Sequence, residues 1–366
     1  MKHKVFLHAY CHNNLGDDLF IRIICRRYPK IKFFLMVNPG CDEGLRDLNN
    51  LHILKRNLFF RVINKFSEVL SGRPLLMDYF ITHCGLSIIL GGSMFIENDG
   101  KWEKNLHFVQ KLREQSENLI ITGANFGPYH SEEFLQAYRT FFSKSEDACF
   151  RDKWSEGLFS NLKQVRCAPD VVMNLDISKY SLKKRKKMTI IPIWLEHRTE
   201  LAAFSPQYKK AMAVLAEEAV ENDWEVVFQS FCKEQGDERA IESILDEMSS
   251  NIKSKVKCYF YRGNIDEALQ SIANSEVVVT TRFHGMILGW QFGAKVYPII
   301  YSNKMTNFLN DVEYDGNFMN INQMQMLSLK DVINDKNKID ATQLIVNAKD
   351  QFTWLDSNFV DEKVNM

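Results

Sequence analysis

Short apolar runs alternate with amphipathic stretches along the first half of the chain. Residues 5–9 form an apolar run typical of a buried strand, and residues 19–27 follow it with apolar side chains at helical spacing. Alternation of this kind predicts a mostly parallel sheet with helices on both faces. Further strands are predicted at residues 31–37, 86–90, 119–122, 148–151 and 165–168, with helices at residues 105–113, 132–142 and 152–161.

The alternation restarts after a polar break. Residues 178–187 end in a run of five basic side chains, which we interpret as a solvated linker because consecutive charges favour water. The second set of strands is predicted at residues 189–193, 225–229, 256–260, 276–280 and 296–300, with helices at residues 208–221, 238–248, 266–273 and 286–292.

The two sets of elements predict an α/β protein with two Rossmann-like, doubly wound domains facing each other across a cleft. A chain of 366 residues is long for one hydrophobic core, since single cores stop growing near ~250–300 residues. We place the first domain at residues 1–177, a linker at 178–188 and the second domain at 189–330. Residues 331–366 are predicted to form a helical tail that packs back on the first domain.

Composition excludes several classes of function. The 46 basic and 46 acidic residues balance, so no overall charge favours nucleic acid. The eight cysteines include no C-x-x-C pair, which argues against a zinc site and fits free thiols in a reducing compartment. No apolar run reaches the length of a membrane span, and the N-terminal run is too short for a signal peptide. The chain is therefore expected to be cytoplasmic.

Candidate chemistry in the second domain follows the apolar run 277–279. Arg282, His284 and Gly285 come directly after it, where a buried strand ends and ligands of open α/β sheets bind. A guanidinium, an imidazole and a flexible glycine in that place can bind an anion and move a proton. Lys304 follows the next predicted strand, and three such groups together favour a multiply charged ligand. A loop histidine beside a surface arginine is the alternative.

The loop after the first strand contains a second group of candidates. Gly16 suits a turn, and Asp17 or Asp18 falls at the N-terminus of the following helix. One aspartate is enough to cap that helix and complement its dipole. The other is then available to accept hydrogen bonds from the hydroxyl groups of a sugar.

Three further loops of the first domain carry glycine or charge. Gly91, Gly92 and Ser93 follow a predicted strand, and paired glycines either form a turn or let backbone N–H groups approach a ligand. Residues 123–128 are interpreted as an architectural turn. Arg151 follows another strand, where it pairs with a carboxylate or supplies a second anion contact.

Taken in order, these motifs resemble those of the polysaccharide pyruvyl transferase family over residues 14–311. The resemblance implies a fold like that of GT-B glycosyltransferases and transfer of pyruvate from phosphoenolpyruvate to a sugar as a ketal. The motifs are Asn14-Leu15-Gly16-Asp17, Gly91-Gly92, 123–128, Arg151-Asp152 with Ser155, Pro169-Asp170, Arg282-Phe283-His284-Gly285 and Lys304.

The resemblance also implies roles for individual residues. Arg151, Arg282 and Lys304 are expected to contact the anionic donor, and His284 is expected to be the acid/base. Asp17 or Asp18 would orient or deprotonate the acceptor. The remaining substrate-binding residues are Asn14, Gly16, Gly91, Gly92 and Ser93. Phosphoenolpyruvate is then a co-substrate, and no cofactor is expected; a G-x-G-x-x-G dinucleotide fingerprint is absent.

The setting implied is the synthesis of a cell-surface polysaccharide, with a saccharide acceptor that could be linked to lipid. The stretch 55–70 mixes Lys55, Arg56, Arg61 and Lys65 with apolar side chains. A basic amphipathic stretch either docks on anionic lipid at the inner face of the membrane or packs its apolar side on the domain. Two other functions fit the same architecture: a glycosyltransferase that uses a nucleotide sugar, and a non-catalytic carbohydrate-binding relative.

Overall fold

The computed structural model describes residues 4–72, 74–98 and 100–359, and the chain divides into two compact units. The first unit contains Asp17–Asn174 together with the described residues before Asn13 and after Ile345. The second unit contains Leu175–Ile345 and the short segment Asn13–Gly16. Among the described residues, no helix is long and apolar enough to cross a membrane.

The first unit is built on a parallel sheet of seven strands in the order β3-β2-β1-β4-β5-β6-β7. The strands are β1 (Lys4–Ala9), β2 (Lys32–Val37), β3 (Leu51–Lys55), β4 (Leu86–Phe95), β5 (Asn118–Phe126), β6 (Asp147–Phe150) and β7 (Val165–Cys167). The helices are α1 (Leu15–Arg27), α2 (Leu58–Ser71), α3 (Leu75–Thr82), α4 (Trp102–Gln115), α5 (Glu132–Phe142) and α6 (Lys153–Gly157).

The central strands of this sheet are buried on both faces, as their continuous apolar sequences require. Ile88, Ile89 and Leu90 of β4 are each at most 1% exposed. Aromatic side chains fill the space between the sheet and α5: the rings of Phe126 and Phe134 lie 5.1 Å apart, centroid to centroid. The core thus fixes the level at which each strand ends.

The second unit repeats the architecture with six parallel strands in the order β10-β9-β8-β11-β12-β13. The strands are β8 (Arg185–Ile191), β9 (Glu225–Gln229), β10 (Lys257–Tyr259), β11 (Ser275–Thr280), β12 (Lys295–Ile300) and β13 (Met319–Asn320). The helices are α7 (Ser205–Glu221), α8 (Asp237–Asp246), α9 (Ser250–Lys253), α10 (Ile265–Ala273), α11 (Phe283–Gln291), α12 (Asn303–Asp311) and α13 (Leu329–Val332). The prediction of two doubly wound α/β sheets is confirmed.

The basic run before β8 is not a fully solvated linker, and that part of the sequence interpretation is wrong. β8 begins at Arg185, and Lys187 is buried with its Nζ donating to the carbonyl of Ser271 at 2.7 Å. Lys184 donates in the same way to the carbonyl of Ala273 at 3.0 Å. A lysine stem can cross apolar surface while its ammonium group reaches a backbone acceptor, so a charge run does not exclude a strand.

Other elements also differ from prediction, among them β5, which continues to Phe126 through most of the predicted turn 123–128. β3 (Leu51–Lys55) was not predicted, because its side chains are half-exposed and carry no apolar run. β4 continues to Phe95, so Gly91 and Gly92 lie within the strand, next to a register shift against β5, instead of after it. α6 ends at Gly157, well short of the predicted residue 161.

Of the predicted tail 331–366, residues 331–345 belong to the second unit, residues 346–359 belong to the first, and residues 360–366 lie outside the described residues. After α14 (Thr342–Ala348) and before α15 (Thr353–Asn358), the Gln351 side chain is buried and uses its amide completely. Its Oε1 accepts the N–H of Gly123 at 2.8 Å, and its Nε2 donates to the carbonyl of Ala168 at 2.7 Å. Farther on, Asp356 accepts hydrogen bonds from Arg27, the last residue of α1, and from Tyr28 directly after it.

Candidate functional site

Three neighbouring strands of the second unit bring the candidate residues to one edge of the sheet. β11 pairs in parallel with β8 on one side and with β12 on the other. Their carboxyl ends therefore lie side by side, which is where ligands of open α/β sheets bind. Arg282 follows β11, Tyr301 follows β12, and Arg198 lies in the loop that follows β8.

Arg282 is buried and held by an acidic partner. Its Nε donates to Oδ2 of Asp237 at 3.1 Å, its Nη2 donates to Oδ1 of the same carboxylate, and its Nη1 donates to Gln235. These bonds use three of the five N–H groups of the guanidinium. Burial opposes its charge, but the ion pair with Asp237 outweighs burial and raises the pKa of Arg282. Arg282 is thus a fixed cation.

Asp237 connects Arg282 to the loop that follows β1. Besides the arginine, its Oδ2 accepts the backbone N–H groups of Phe231 and Cys232, both at 2.9 Å. The carbonyl of Phe231 in turn accepts the N–H of Leu15 at 3.0 Å. Asn14 forms an isolated β-bridge with Cys232. One buried carboxylate therefore fixes both the arginine and the backbone on which Gly16 is carried.

Gly16 lies directly against His284. The N–H of Gly16 donates to Oδ1 of Asn14 at 3.1 Å, which orients the first turn of α1. A Cβ on Gly16 would lie 1.8 Å from Nδ1 of His284, a separation that no real atom pair allows. Glycine is thus required here because the half-buried imidazole occupies the space of a side chain. The structure brings these two predicted site residues together.

Lys304 and two arginines surround Tyr301. The Nζ of Lys304, in the first turn of α12, lies 5.9 Å from the centroid of the Tyr301 ring and 6.0 Å from that of Phe283. The Cζ of Arg198 lies 5.0 Å from the Tyr301 ring. The ring of Phe283 contacts that of His284, with centroids 5.4 Å apart. The cations and the histidine thus share one neighbourhood.

These cations change the acidity of Tyr301. Burial by itself disfavours the phenolate, but Lys304, Arg198 and Arg282 together outweigh it and lower the pKa of Tyr301 to about 8. An ordinary tyrosine titrates near pH ~10. The lowered pKa reflects the positive charges that surround the phenol.

Gly285 has a different role from the one predicted. It is the third residue of α11, and the expectation of a flexible glycine is wrong. A Cβ at this position would meet Oγ1 of Thr280 at 2.4 Å and Cδ1 of Ile191 at 2.9 Å. Gly285 therefore allows α11 to pack closely on β11 and β8, which fixes where Arg282 and His284 project.

In the first unit, Arg151 and Ser93 meet at Asn125. Nη2 of Arg151 donates to Oδ1 of Asn125 at 2.5 Å, and Oγ of Ser93 donates to the same atom at 3.0 Å. Nη1 of Arg151 forms a buried ion pair with Asp170 at 2.9 Å. The structural alternative for Arg151, a carboxylate partner, is therefore present; a donor contact by Arg151 stays a prediction.

Asp17 lies beside the glycine pair. A Cβ on Gly92 would be 3.5 Å from Oδ1 of Asp17, and both Gly91 and Gly92 have positive φ, at 80° and 61°. Such angles favour glycine whatever the surrounding space. Asp17 is half-buried, whereas Asp18 is fully buried in the first turn of α1. Among the described residues, no group of three or more His, Cys, Asp or Glu side chains could hold a metal ion.

Sequence reasoning missed Asp237, Arg198 and Tyr301. Tyr301 directly follows an apolar run, the same signal that identified Arg282, and could have been found that way. Asp237 begins a helix, where an aspartate is common, and its role depends on contacts distant along the chain. Arg198 lies in an irregular loop, and no pattern in the sequence marks it.

Comparison with known proteins agrees with the architecture. Residues 8–303 match the model of the family described as polysaccharide pyruvyl transferase. No curated protein sequence matches the chain. Among solved structures, Anabaena Alr3699/HepE in complex with UDP and glucose is similar at 10% identity, with 98% of each chain covered and a TM-score of 0.59.

Two further solved structures are similar to about the same extent. The S. aureus MnaA–UDP structure has 10% identity, covers 100% of this chain and 99% of its own, and gives a TM-score of 0.56. The Methanocaldococcus jannaschii UDP-GlcNAc 2-epimerase has 10% identity, with 92% of this chain and 93% of its own covered and a TM-score of 0.57. At such identities the likeness shows the fold alone, which is GT-B-like. Because the family match extends over most of the chain and includes Arg282 and His284, the chain belongs to the polysaccharide pyruvyl transferase family.

Proposed function

We propose that the protein transfers pyruvate from phosphoenolpyruvate to a saccharide, forming a ketal and releasing phosphate. Membership of the family supports this class of transferase. The observation that carries the proposal is the cluster of Arg198, Arg282 and Lys304 around Tyr301, next to His284. Phosphoenolpyruvate carries a carboxylate and a phosphate, and cations placed together favour the binding of such an anion.

His284 is proposed to move the proton on which the reaction depends. Protonation of the methylene carbon of phosphoenolpyruvate makes it a methyl group and leaves an oxocarbenium-like centre at the neighbouring carbon. One sugar hydroxyl attacks that centre and loses its proton; the C–O bond to phosphate breaks, and a second hydroxyl attacks and loses its proton. Of the two hydroxyl protons, one replaces the proton given to the methyl carbon and the other leaves with phosphate. An imidazole can both donate and accept near neutral pH.

Residues of the first unit are proposed to bind the acceptor. We assign to Asp17 the role of orienting or deprotonating a sugar hydroxyl, since Asp18 is fully buried. Gly91, Gly92 and Ser93 would contribute backbone and hydroxyl groups near it. The acceptor proposed is a saccharide precursor of a surface polysaccharide carried on lipid, which places the reaction at the cytoplasmic face of a membrane.

Two measurements test this function. Calorimetry should show binding of phosphoenolpyruvate to the wild type and much weaker binding to Lys304→Ala. Phosphate release in the presence of phosphoenolpyruvate and candidate glycans should fall by about 10²–10⁴ in His284→Asn, while binding of the donor persists. Undiminished release by His284→Asn would contradict the acid/base role.

A glycosyltransferase that uses a nucleotide sugar is the second candidate. It is favoured by the UDP named in the solved structures of similar fold, Alr3699/HepE and MnaA. Such an enzyme should bind UDP and ignore phosphoenolpyruvate in the same calorimetric experiment. A non-catalytic carbohydrate-binding relative would bind glycans but release no phosphate from phosphoenolpyruvate.

A further inference from the structure

A pocket and a groove of the first unit meet at two shared residues. The pocket, of about 160 Å³, lies at the carboxyl ends of β1 and β2 and is lined by His8, His12, Asn38 and Arg56 among others. The groove, of about 540 Å³, lies along α2 and α3 and also contains Asn38 and Arg56. A ligand could therefore pass from the strand ends to the outer helices without a break in the lining.

The groove is rich in cations. Arg56, Arg61 and Lys65 line it together with one carboxylate, Glu68. Among the described residues, no carboxylate lies within ion-pair distance of these three cations. Burial and the neighbouring Arg61 lower the pKa of Arg56, so the positive charges oppose one another. An anion bound here would relieve that repulsion.

The helix beside the groove presents an apolar face to solvent. Phe60 packs against the core of the unit, so the helix is attached by one side. The opposite side consists of large apolar residues that are 57–78% exposed. They are Leu58, Phe59, Val62, Phe66, Val69 and Leu70. Asn57 caps the helix by accepting the N–H of Phe60 at 2.9 Å, so this is a regular helix with an unpartnered face. Contiguous apolar surface of this kind marks a site of interaction.

We propose that the groove binds the phosphate or diphosphate group of a prenyl-type lipid, whose apolar chain lies along the outer face of α2 and enters the membrane. Such a ligand joins an anionic head to an apolar chain, which matches cations and exposed apolar residues on one element. A soluble phosphate would not require the apolar face, and a plain membrane surface would not require the groove. This inference rests on the proposed function, because it makes the lipid the carrier of the sugar acceptor, with the first sugar in the pocket beyond Arg56.

Vesicle flotation with the full chain tests the proposal. Three preparations are compared: phosphatidylcholine alone, phosphatidylcholine with a polyprenyl phosphate, and phosphatidylcholine with phosphatidylglycerol at equal charge. The wild type should bind the polyprenyl phosphate vesicles about tenfold more tightly than the phosphatidylglycerol vesicles. Arg61→Gln with Lys65→Gln should remove this preference, and Phe59→Ser with Phe66→Ser should weaken binding to every vesicle. Lys104→Gln and Met326→Ser, which change an exposed lysine and an exposed apolar residue elsewhere, should behave as wild type.

Several outcomes would overturn the inference. Equal binding to vesicles with polyprenyl phosphate and with phosphatidylglycerol would show that the surface binds anionic lipid in general. A wild-type dimer that dissociates in the Phe59→Ser, Phe66→Ser variant would make the apolar face a contact between copies of this chain. The proposed function is tested separately, by phosphate release with a delipidated, water-soluble glycan. The groove variants should retain that activity, and its absence in the wild type would count against pyruvyl transfer and not against the lipid site.

Discussion

The α-carbon of Gly16 lies so close to the imidazole of His284 that a methyl group between them would be 1.8 Å from Nδ1. One residue comes from the first turn of α1, after β1, and the other from α11, the helix that follows β11. The contact is therefore a product of folding and fixes the histidine on one side. Its first consequence is for activity.

Gly16→Ala should remove most activity without unfolding the protein. The new methyl group must displace His284, and a misplaced acid/base loses the alignment that proton transfer requires. We expect phosphate release to fall about 10²-fold or more. Gly157→Ala is the matched control, because a Cβ there meets no atom within 4 Å. Activity in Gly16→Ala equal to that in Gly157→Ala would show that the position of His284 does not matter.

Asp237→Ala should destabilise the second unit strongly. Removal of the carboxylate leaves Arg282 buried without its acidic partner and two N–H groups, of Phe231 and Cys232, without their acceptor. Breaking a buried ion pair of this kind costs about 3–5 kcal/mol. Urea denaturation measures the loss. Asp246→Ala, at an exposed pair with Lys253, is the control and should change stability by no more than about 0.5 kcal/mol. Similar losses of unfolding free energy in the two variants would show that Asp237 does not stabilise the second unit.

Binding of phosphate or phosphoenolpyruvate should weaken as pH rises through about 8, the pKa of Tyr301. The folded cluster lowers this pKa, so the phenol is neutral below it, and above it a phenolate competes with the ligand for Lys304 and Arg198. In Tyr301→Phe this step should disappear while binding at pH ~7 persists. Calorimetry across this pH range, together with the tyrosinate absorbance near neutral to alkaline pH, measures the effect. A step of the same size in Tyr301→Phe would assign it to another group.

The sequence predicted the central strands of both sheets well because they are buried on both faces and form continuous apolar runs. It failed at β3, whose half-exposed residues show neither an apolar run nor clear alternation. At the site, it selected Arg282, His284 and Lys304 from their places after strands. It could not identify Asp237, since the bonds that this residue makes to Arg282 and the loop at Phe231 join segments that only the folded sheet brings together.

Gln351→Ala should destabilise the first unit. The substitution removes four hydrogen bonds, to the hydroxyl of Thr122, the N–H of Gly123 and the carbonyls of Phe150 and Ala168. The buried N–H of Gly123 and the carbonyl of Ala168 then lack this partner. Each such buried group costs about 1–3 kcal/mol when its partner is lost. Thermal unfolding measures the effect. Gln136→Ala, at an exposed pair with Glu132, should change stability by less than about 0.5 kcal/mol. An equal effect in both variants would make Gln351 dispensable.

The place of Gln351 also sets an order of events during synthesis. Strands β4 to β7 leave the ribosome long before residue 351, and the whole second sheet is made in between. Until that glutamine arrives, the N–H of Gly123 and the carbonyl of Ala168 lack the buried partner that they have in the folded protein. The first sheet is therefore completed by a segment that is made only after the whole second sheet.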